Sequence, residues 1–278
     1  MNRKRNQTMT RVIKIGGNEM NTPGFLEALA RQIAQLAAGG EPLVVVHGGG
    51  QEIAALQSRL GIEPVKIDGL RVTDAESLAV AEMVLSGHTN KAIVKAFLAA
   101  GLDAVGISGI DGGLLRCRKK EHPTADLGLV GRIVHVRTGL LEQFAANGII
   151  PVVSPVSLGE DGQTYNVNAD EAAGAIAHAL SARMLDFVSN VPGVLQDERL
   201  LPSLTPARAA TLIRNGVISG GMIPKVRTAL DALDSGVAQV RIVNLAGLGI
   251  GGGTVFGLEP HPATAHRHAA NGAVASLV

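Results

Sequence analysis

Short, almost entirely apolar runs alternate along this chain with longer segments whose apolar residues recur at helical spacing. The runs that predict strands span residues 12–15, 43–47, 104–108, 149–154, 184–188 and 239–243. They lack the alternation of a half-exposed strand, and continuous apolar runs are typical of parallel strands covered on both faces. Segments with helical spacing lie at 23–38, 50–60, 74–99, 138–147, 169–181, 205–215 and 222–235. The pattern predicts an α/β fold with an open, predominantly parallel, doubly wound sheet between helices.

Three regions depart from this alternation. Residues 112–135 combine glycines, a basic run and an apolar run, which predicts an antiparallel excursion on the rim of the sheet. The chain after Phe256 is rich in His, Ala and Pro, so residues 258–278 are expected to form a flexible tail. Residues 1–10 are expected to form a second flexible tail.

Composition narrows the classes of function. The 278 residues are 46% hydrophobic but only 2% aromatic, so the core is aliphatic and base-stacking surfaces for single-stranded nucleic acid are not expected. A net charge of +1 gives no electrostatic case for a nucleic-acid or membrane partner. The single cysteine, Cys117, cannot form an intrachain disulfide, and neither a signal peptide nor a membrane span is apparent. We therefore expect a cytoplasmic protein.

Two lysines lie beside glycine pairs near opposite ends of the chain. Lys14 ends an apolar strand that runs into Gly16 and Gly17, and Lys225 closes the sequence SGGMIPK. A transferring phosphoryl group spreads negative charge over several oxygens, and lysines with glycine-exposed backbone amides can stabilise that charge. A lone lysine near glycines is more often part of a surface loop, so the interpretation depends on further motifs.

Two motifs in the first half suit the binding of an anionic substrate. Gly48, Gly49 and Gly50 follow the second strand and open a helix, where free amides can bind a carboxylate or phosphate. A tight turn is the simpler explanation, but three consecutive glycines exceed what a turn needs. Arg71 precedes a helix start and suits bidentate carboxylate recognition, although an isolated arginine is usually a solvated surface residue.

The second half contributes polar residues near helix starts and strand ends. Asp170 is either an N-cap or the carboxylate that holds both lysines by charge-assisted hydrogen bonds. Asn166 is placed to donate to a substrate carbonyl or carboxylate. The loop after the fifth strand suits nucleotide phosphate or ribose, and it consists of Ser189, Asn190, Val191, Pro192, Gly193 and Val194.

Two further patterns are rejected. The glycines at 247–252 match the dinucleotide string GxGxxG, but no adequate helix follows, so a glycine-rich loop before the last strand is expected. His261, His266 and His268 have loosely metal-like spacing in the predicted tail and lack a fourth ligand. No residue is assigned to a protein-held metal site.

The ordered motifs resemble the amino acid kinase family, and within it the N-acetylglutamate kinase subgroup. The similarity covers residues 11–256, with KIGG at 14–17, HGGG at 47–50, GLRVTD at 69–74, NVNAD at 166–170 and GGMIPK at 220–225. The resemblance implies an amino-acid-binding and dimerisation half at 11–158 and a nucleotide-binding half at 159–257. It implies that Lys14 and Lys225 stabilise the transferring phosphoryl group and that Asp170 organises them.

The resemblance also implies the binding residues and the reaction. Gly49, Gly50, Arg71 and Asn166 would bind the acyl amino acid, while Gly16, Gly17 and Gly48 would contact phosphate. Nucleotide binding would involve the loop after the fifth strand together with Val217, Ile218, Ser219 and Met222. The implied reaction is transfer of the γ-phosphoryl of ATP, with Mg²⁺, to the γ-carboxylate of N-acetyl-L-glutamate in arginine biosynthesis. Because that carboxylate is ionised at neutral pH, no general base is needed.

Departures from the family pattern leave alternatives open. Asn190 stands where the family often has aspartate, and the patch of Arg116, Arg118, Lys119 and Lys120 is similar to the basic rim of kinases that act on aminoadipate carried by an acidic protein. That substrate, carrier-linked or N-acetylated, is the main alternative. A non-catalytic small-molecule sensor is a remote one, because Lys14, Asp170 and Lys225 are all present.

The assembly expected from the sequence is a homodimer joined through helices of the first half. Only about ten residues precede Val12, and they lack the apolar face of the extra helix that links dimers in arginine-inhibited hexamers of the family. The usual arginine-site sequence is also not evident near residues 244–254. We therefore expect activity that is insensitive to arginine.

Overall fold

The computed structural model describes residues 10–257, without the side chains of Asn18 and Glu19. Its centre is an eight-stranded sheet in the order β14-β16-β15-β11-β1-β2-β8-β5. These strands are β1 Arg11–Ile15, β2 Leu43–His47, β5 Ala104–Ser108, β8 Ile150–Ser154, β11 Met184–Ser189, β14 Ser203–Leu204, β15 Val240–Asn244 and β16 Thr254–Phe256. Within the described residues, all neighbouring strands of this sheet run parallel except β15 and β16. The predicted open, mostly parallel sheet is confirmed.

Helices flank the central sheet, and the longer ones match the predicted segments. They are α1 Gly17–Met20, α2 Phe25–Ala38, α3 Gly50–Arg59, α4 Ala75–Glu82, α5 Asn90–Ala99, α6 Thr138–Ala146, α7 Ala169–Ala179, α8 Pro206–Arg214, α9 Met222–Asp234 and α10 Leu245–Leu248. The first long helix begins later than predicted because Gly24, with φ of 77°, adopts left-handed backbone just before it. The predicted helix at 74–99 is continuous but contains a π-helical stretch, Met83–Thr89, between α4 and α5.

Smaller sheets accompany the central sheet. A four-stranded sheet in the order β10-β9-β6-β7 and two hairpins lie beside the main sheet. Their strands are β3 Lys66–Ile67, β4 Leu70–Arg71, β6 Leu115–Lys119, β7 Gly131–Val136, β9 Ser157–Gly159, β10 Thr164–Tyr165, β12 Leu195–Gln196 and β13 Arg199–Leu200. Strands β6 and β7 pair antiparallel, which confirms the predicted excursion. The glycines at 247–252 span the end of α10 and the loop before β16, and no dinucleotide motif forms there.

Register aligns the carboxyl ends of the central strands. Ile15 at the end of β1 pairs with His47 at the end of β2 on one side and with Val188 of β11 on the other. Loops that follow these three strands therefore leave the sheet at the same edge, where ligands bind in open α/β folds. This alignment brings together segments separated by more than 170 residues.

Aliphatic side chains fill both faces of the sheet, as the composition predicted. Val12, Leu185 and Ile242 pack toward α7 and α9 on one face, whereas Ile13 and Val188 belong to the cluster on the other face with α2 and α5. No helix in residues 10–257 has both the length and the apolar character needed to cross a membrane. The predicted tails, apart from Thr10, and the three tail histidines lie outside the described residues.

A buried ionic cluster that the sequence did not predict lies toward the amino ends of the strands. Asp186, which is fully buried, accepts hydrogen bonds from Arg11 Nε and from Arg241 Nε at 2.6 Å. Arg241 also donates to the carbonyl oxygens of Leu248 and Gly252, which anchors the glycine-rich loop. Because every charge in this cluster has a hydrogen-bonded partner, it acts as a structural tie between β1, β11 and β15.

Candidate active site

A cleft of about 430 Å³ opens at the carboxyl ends of the central strands. It brings together residues from both halves of the chain, which is what the motif order predicted. The predicted site residues that line it are Lys14, Gly16, Gly17, Gly48, Gly49, Gly50, Arg71, Asn166, Asp170, Ser189 and Lys225.

Lys14 and Asp170 form an ion pair at one wall of the cleft. Lys14 is the fourth residue of β1, and its Nζ lies 2.7 Å from Asp170 Oδ1 in the first turn of α7. Asp170 is not the N-cap, because Asn168 accepts hydrogen bonds from the backbone N–H groups of Asp170 and Glu171. The carboxylate of Asp170 is therefore available to orient the lysine. An ammonium has three donors, so Lys14 keeps donors for a ligand in the cleft.

Lys225 reaches the cleft from the first turn of α9. Its Nζ donates to Ser189 Oγ at 3.0 Å and to Asn190 Oδ1 at 2.7 Å, and both acceptors stand at the end of β11. Asn190 supplies a neutral amide oxygen at the position where aspartate is common in the family. These two hydrogen bonds connect the start of α9 to the end of β11. Asp170 forms its ion pair with Lys14.

The two glycine loops touch one another, and this contact explains why they lack side chains. A Cβ on Gly17 would stand 3.0 Å from the backbone N of Gly50, and one on Gly49 would stand 2.8 Å from Leu85 Cδ2. A Cβ on Gly50 would meet no atom within 4 Å, so space remains on its open side. Gly49 caps α3 without a side-chain hydrogen bond, and the first-turn amides of a helix have no intrahelical partners. The loop can therefore donate to an anion.

A buried histidine fixes the second glycine loop. His47 is fully buried, its Nδ1 lies 2.9 Å from the carbonyl oxygen of Gly48, and its Nε2 lies 3.1 Å from Asn90 Nδ2. Burial lowers the pKa of His47 from 6.5 to about 4, with a smaller lowering from Lys91 and an opposing effect of the hydrogen bond with Gly48. The imidazole is therefore neutral near pH 7, and it holds the loop without adding charge.

Arg71 borders the cleft from the short hairpin of β3 and β4. Its Nη1 donates to Gln57 Oε1, and its Nη2 donates to the carbonyl oxygen of Gly50 at 3.1 Å. Burial lowers the pKa of Arg71. An arginine nevertheless stays protonated at neutral pH, so it presents a fixed positive charge near the glycine loop.

Asn166 also lines the cleft. Its Nδ2 donates to Thr73 Oγ1 at 3.2 Å, and Thr73 Oγ1 donates to the carbonyl oxygen of Arg71 at 3.0 Å. The amide of Asn166 is thus linked to the hairpin that carries Arg71. This link joins the two predicted substrate-binding side chains through one threonine.

Most of the residues that the sequence predicts to bind nucleotide do not line the cleft. Ser189 lines it and Asn190 contacts Lys225, but the remaining eight do not line it: Val191, Pro192, Gly193, Val194, Val217, Ile218, Ser219 and Met222. The side chains of Val194 and Ile218 are buried in the core, and the backbone N–H of Val194 donates to Thr254. The side chains of Val194 and Ile218 therefore pack in the core, and the role of these two residues in nucleotide binding stays a prediction.

Sequence reasoning missed several residues that border the site. Lys66, Asn168 and Thr228 line the cleft, and Lys66 pairs directly with Arg71 across the β3–β4 hairpin. The spacing of Lys66 and Arg71 around Asp68 and Gly69 was the available signal, since a short basic hairpin beside a glycine loop suits an anion.

The basic patch on the rim is largely neutralised. Arg118 pairs with Glu160, Lys119 Nζ lies 2.9 Å from Asp126, and Lys120 Nζ lies 2.6 Å from Glu171. Arg116, the fourth cation, borders Gly113. Three of the four predicted cations therefore have acidic partners on the protein itself, which weakens the case for an acidic carrier surface.

The fold and the cleft define an α/β protein whose cleft is lined by two lysines, an arginine and glycine loops. In the part of the chain that the structure describes, no three His, Cys, Asp or Glu side chains are grouped to hold a metal ion. The sequence model described as the Amino acid kinase family matches residues 9–244. The chain belongs to the amino acid kinase family.

Relatives and solved structures agree with this membership. The chain is 52% identical over 240 residues to the acetylglutamate kinase of Roseiflexus castenholzii, covering 86% of this chain and 91% of that protein. It is 47% identical to that of Geobacillus thermodenitrificans, covering 84% and 90%. The N-acetylglutamate synthase of Neisseria gonorrhoeae, in complex with coenzyme A and N-acetyl-glutamate, is similar with a TM-score of 0.79 and 26% identity, over 91% of this chain and 60% of that one.

Proposed function

We propose that this protein transfers the γ-phosphoryl group of ATP to the γ-carboxylate of N-acetyl-L-glutamate, as a step of arginine biosynthesis. The observation that carries the proposal is the 52% identity to an acetylglutamate kinase over 86% of the chain, together with the Lys14–Asp170 pair in the cleft. In the reaction a carboxylate oxygen bonds to the γ-phosphorus and the bond to the β,γ-bridging oxygen breaks. The products are an acyl phosphate and ADP.

Lys14 and Lys225 are proposed to stabilise charge on the phosphoryl group during transfer. The nucleophile and the phosphate are both anionic, so the main barrier is to bring them together. Asp170 keeps Lys14 in place through the 2.7 Å ion pair, and Ser189 and Asn190 keep Lys225 in place. These fixed cations reduce the reorganisation that transfer requires.

The acyl amino acid is proposed to bind on the side of the first half. Arg71 would pair with a carboxylate of the substrate, Asn166 would donate to a carbonyl or carboxylate, and the amides of Gly49 and Gly50 would bind oxygen. The open space over Gly50 supports this placement. The links Arg71–Gly50 and Asn166–Thr73 hold these groups before substrate arrives.

The nucleotide is proposed to bind on the side of the second half, with phosphates at Gly16, Gly17, Gly48 and Lys225. In phosphoryl-transfer enzymes, Mg²⁺ binds largely to the phosphates of the nucleotide. When bound, the ion would neutralise negative charge on the phosphate oxygens. The loop after β11 and residues 217–222 stay the predicted contacts for the rest of the nucleotide. Within these segments the side chains of Val194 and Ile218 are buried, so any contact from these two residues would come from their backbone.

The alternative substrate, carrier-linked aminoadipate, is less well supported. A carrier surface needs net positive charge, and the acidic partners of Arg118, Lys119 and Lys120 on the protein itself reduce the net charge of this patch. A sensor without catalysis is also disfavoured, since both lysines and Asp170 line one cleft.

We further propose that the protein is a cytoplasmic homodimer, insensitive to arginine, with its interface on helices of the first half. Met83 and Leu98 support this, because their side chains are more than half exposed on the long helical segment of α4 and α5. Burying such side chains favours association. Light scattering during gel filtration, with and without arginine, tests the assembly, and a monomer or hexamer would contradict it.

The direct test of function is trapping of the acyl phosphate with hydroxylamine. Purified protein with ATP, Mg²⁺ and N-acetyl-L-glutamate should yield the hydroxamate, and omission of any one component should abolish it. Parallel reactions with N-acetyl-2-aminoadipate and carrier-linked aminoadipate separate the substrate classes. Faster turnover of an aminoadipate derivative would replace the proposed substrate, and no product with any acidic amino-acid derivative would refute the kinase proposal.

A further inference from the structure

A buried glutamine holds the guanidinium of Arg71 from behind the cleft. Gln57 is 1% exposed on the buried side of α3, and its Oε1 accepts a hydrogen bond from Arg71 Nη1. Its Nε2 donates to Ser77 Oγ at 3.0 Å, and Ser77 is buried in the first turn of α4. Gln57 does not line the cleft, so it has no direct part in the proposed reaction.

Both described hydrogen bonds of the Arg71 guanidinium end on α3. Nη1 reaches Gln57 and Nη2 reaches the carbonyl oxygen of Gly50, which is the first residue of that helix. Arg71 lies on β4, and β3 and β4 form a hairpin with only two residues in each strand. Such a short element fixes a long side chain weakly. A guanidinium has five N–H donors in a rigid fork, so two bonds to α3 define its plane and leave the other donors for a ligand.

The amide of Gln57 matches this task better than a carboxylate would. An amide oxygen accepts the hydrogen bond and orients the fork, but it leaves the positive charge of Arg71 uncompensated. A glutamate in the same place would form a partly buried ion pair with Arg71 and would compete with the carboxylate of a substrate. The NH₂ group of the Gln57 amide is fixed by its hydrogen bond to Ser77 Oγ. Ser77 is fixed in turn, because its backbone N–H donates to Asp74 Oδ1 at 2.8 Å.

We propose that Gln57 is a positioning residue for substrate recognition, which orients Arg71 toward the carboxylate of the acyl amino acid while leaving its charge available. The inference rests on the proposed function, because it concerns the affinity for that substrate. It predicts that Gln57 acts through Arg71 alone and leaves the phosphoryl-transfer step unchanged.

The first test compares Gln57→Leu and Gln57→Glu with the wild-type protein. Loss of a hydrogen bond to a charged group typically weakens an interaction about 10-fold or more, so Gln57→Leu should raise the KM and the calorimetric Kd for N-acetyl-L-glutamate by about 10-fold. The kcat and the KM for ATP should stay unchanged. Gln57→Glu preserves the shape and the hydrogen bond, yet it should raise the same KM at least as much because it neutralises Arg71.

Two controls separate positioning from a structural defect. Gln143→Leu removes an exposed glutamine from α6 and should leave every constant unchanged. Ser77→Ala removes the far partner of Gln57 but retains its contact with Arg71, so it should raise the KM less than Gln57→Leu does. Thermal unfolding of each variant verifies folding, and Gln57→Glu retains a test if Gln57→Leu fails to fold.

A double-mutant cycle gives the sharpest result. If Gln57 acts through Arg71, Gln57→Leu should have no further effect on substrate Kd in the Arg71→Ala background. An additive effect, an unchanged Kd in folded Gln57→Leu, or a KM for Gln57→Glu equal to wild type would overturn the inference. These failures are distinct from failure of the proposed function, which would show as no hydroxamate from the wild-type protein.

Discussion

The central strands carry charged side chains toward both ends, and the two ends differ in how that charge is surrounded. Toward the amino ends, Asp186 is fully buried between Arg11 and Arg241. Toward the carboxyl ends, Lys14 and Asp170 are 15% and 32% exposed and border an open cleft. The same strand, β1, supplies Arg11 to the first cluster and Lys14 to the second. Opposite charges in a sheet therefore do not by themselves identify a site.

The difference lies in which donors remain available. At the amino ends, the guanidinium of Arg241 donates to Asp186, Leu248 and Gly252 and is only 3% exposed, so a ligand in solvent cannot reach it. At the carboxyl ends, Lys14 has one described acidic partner, and further donors face the cleft. We infer that the amino-end cluster serves stability and that the carboxyl-end cluster serves phosphoryl transfer.

The largest effect is expected from breaking the amino-end cluster. Asp186→Asn keeps the shape but leaves buried Arg241 without a compensating carboxylate and Arg11 with Glu41 alone, which should lower the free energy of unfolding by about 3–5 kcal/mol. Denaturant unfolding measures this loss, and kcat of the folded fraction should be close to wild type. A loss of turnover without loss of stability would reverse the assignment of this cluster.

The next effect concerns Lys225 at the carboxyl ends. Lys225→Ala should lower kcat by about 10²–10³, because one preorganised donor to developing charge is lost. The KM for N-acetyl-L-glutamate should change far less, and the unfolding midpoint should stay near wild type. Steady-state kinetics with Lys119→Ala as an exposed-lysine control checks this, and retention of full turnover by Lys225→Ala would remove it from the catalytic set.

A somewhat smaller effect, on the pH dependence of stability, follows from His47. An unfolded histidine takes up a proton below about pH 6.5, whereas buried His47, whose pKa is about 4, does not. The unfolded state therefore binds more protons between these values, and stability falls as pH drops through this window, by about 3 kcal/mol from this group. In His47→Gln the fall should be shallower than in the wild-type protein. Equal slopes for the two proteins would contradict the lowered pKa.

The smallest effect is expected on the rim. Lys119 and Asp126 are both largely exposed, and surface ion pairs contribute little to stability. Lys119→Ala should leave the unfolding free energy and the kinetics with N-acetyl-L-glutamate unchanged within error. A selective rise in KM for a carrier-linked substrate would instead support an interaction surface at this patch.

The sequence predicted most of the fold because its signals were local and strong. Continuous apolar runs located six of the eight strands of the central sheet, and helical spacing located the long helices. The two-residue strands, such as β3 and β4, are too short for any periodicity to register. The π-helical stretch inside 74–99 was also missed, since its apolar spacing is compatible with an ordinary helix.

The sequence predicted only those residues of the site that lie in a recognisable motif. Lys14 and Lys225 were located by the glycine pairs beside them and Asp170 by its place near a helix start, and all three line one cleft. The Arg11–Asp186 contact joins residues 175 positions apart and has no local signature, so only the register of β1 and β11 reveals it. Gln57 was also missed, because a polar residue on a helix is expected to face solvent unless the structure shows that it is buried.

The most direct test of the central claim is a single-turnover measurement on two variants of β1. With the protein verified as folded and in excess over ATP, and with N-acetyl-L-glutamate saturating, Lys14→Ala should slow phosphoryl transfer by about 10²–10³. Arg11→Lys, at the other end of the same strand, should lose stability yet transfer close to the wild-type rate. A wild-type rate for Lys14→Ala, or an equal loss in folded Arg11→Lys, would contradict the division between a structural and a catalytic end of the sheet.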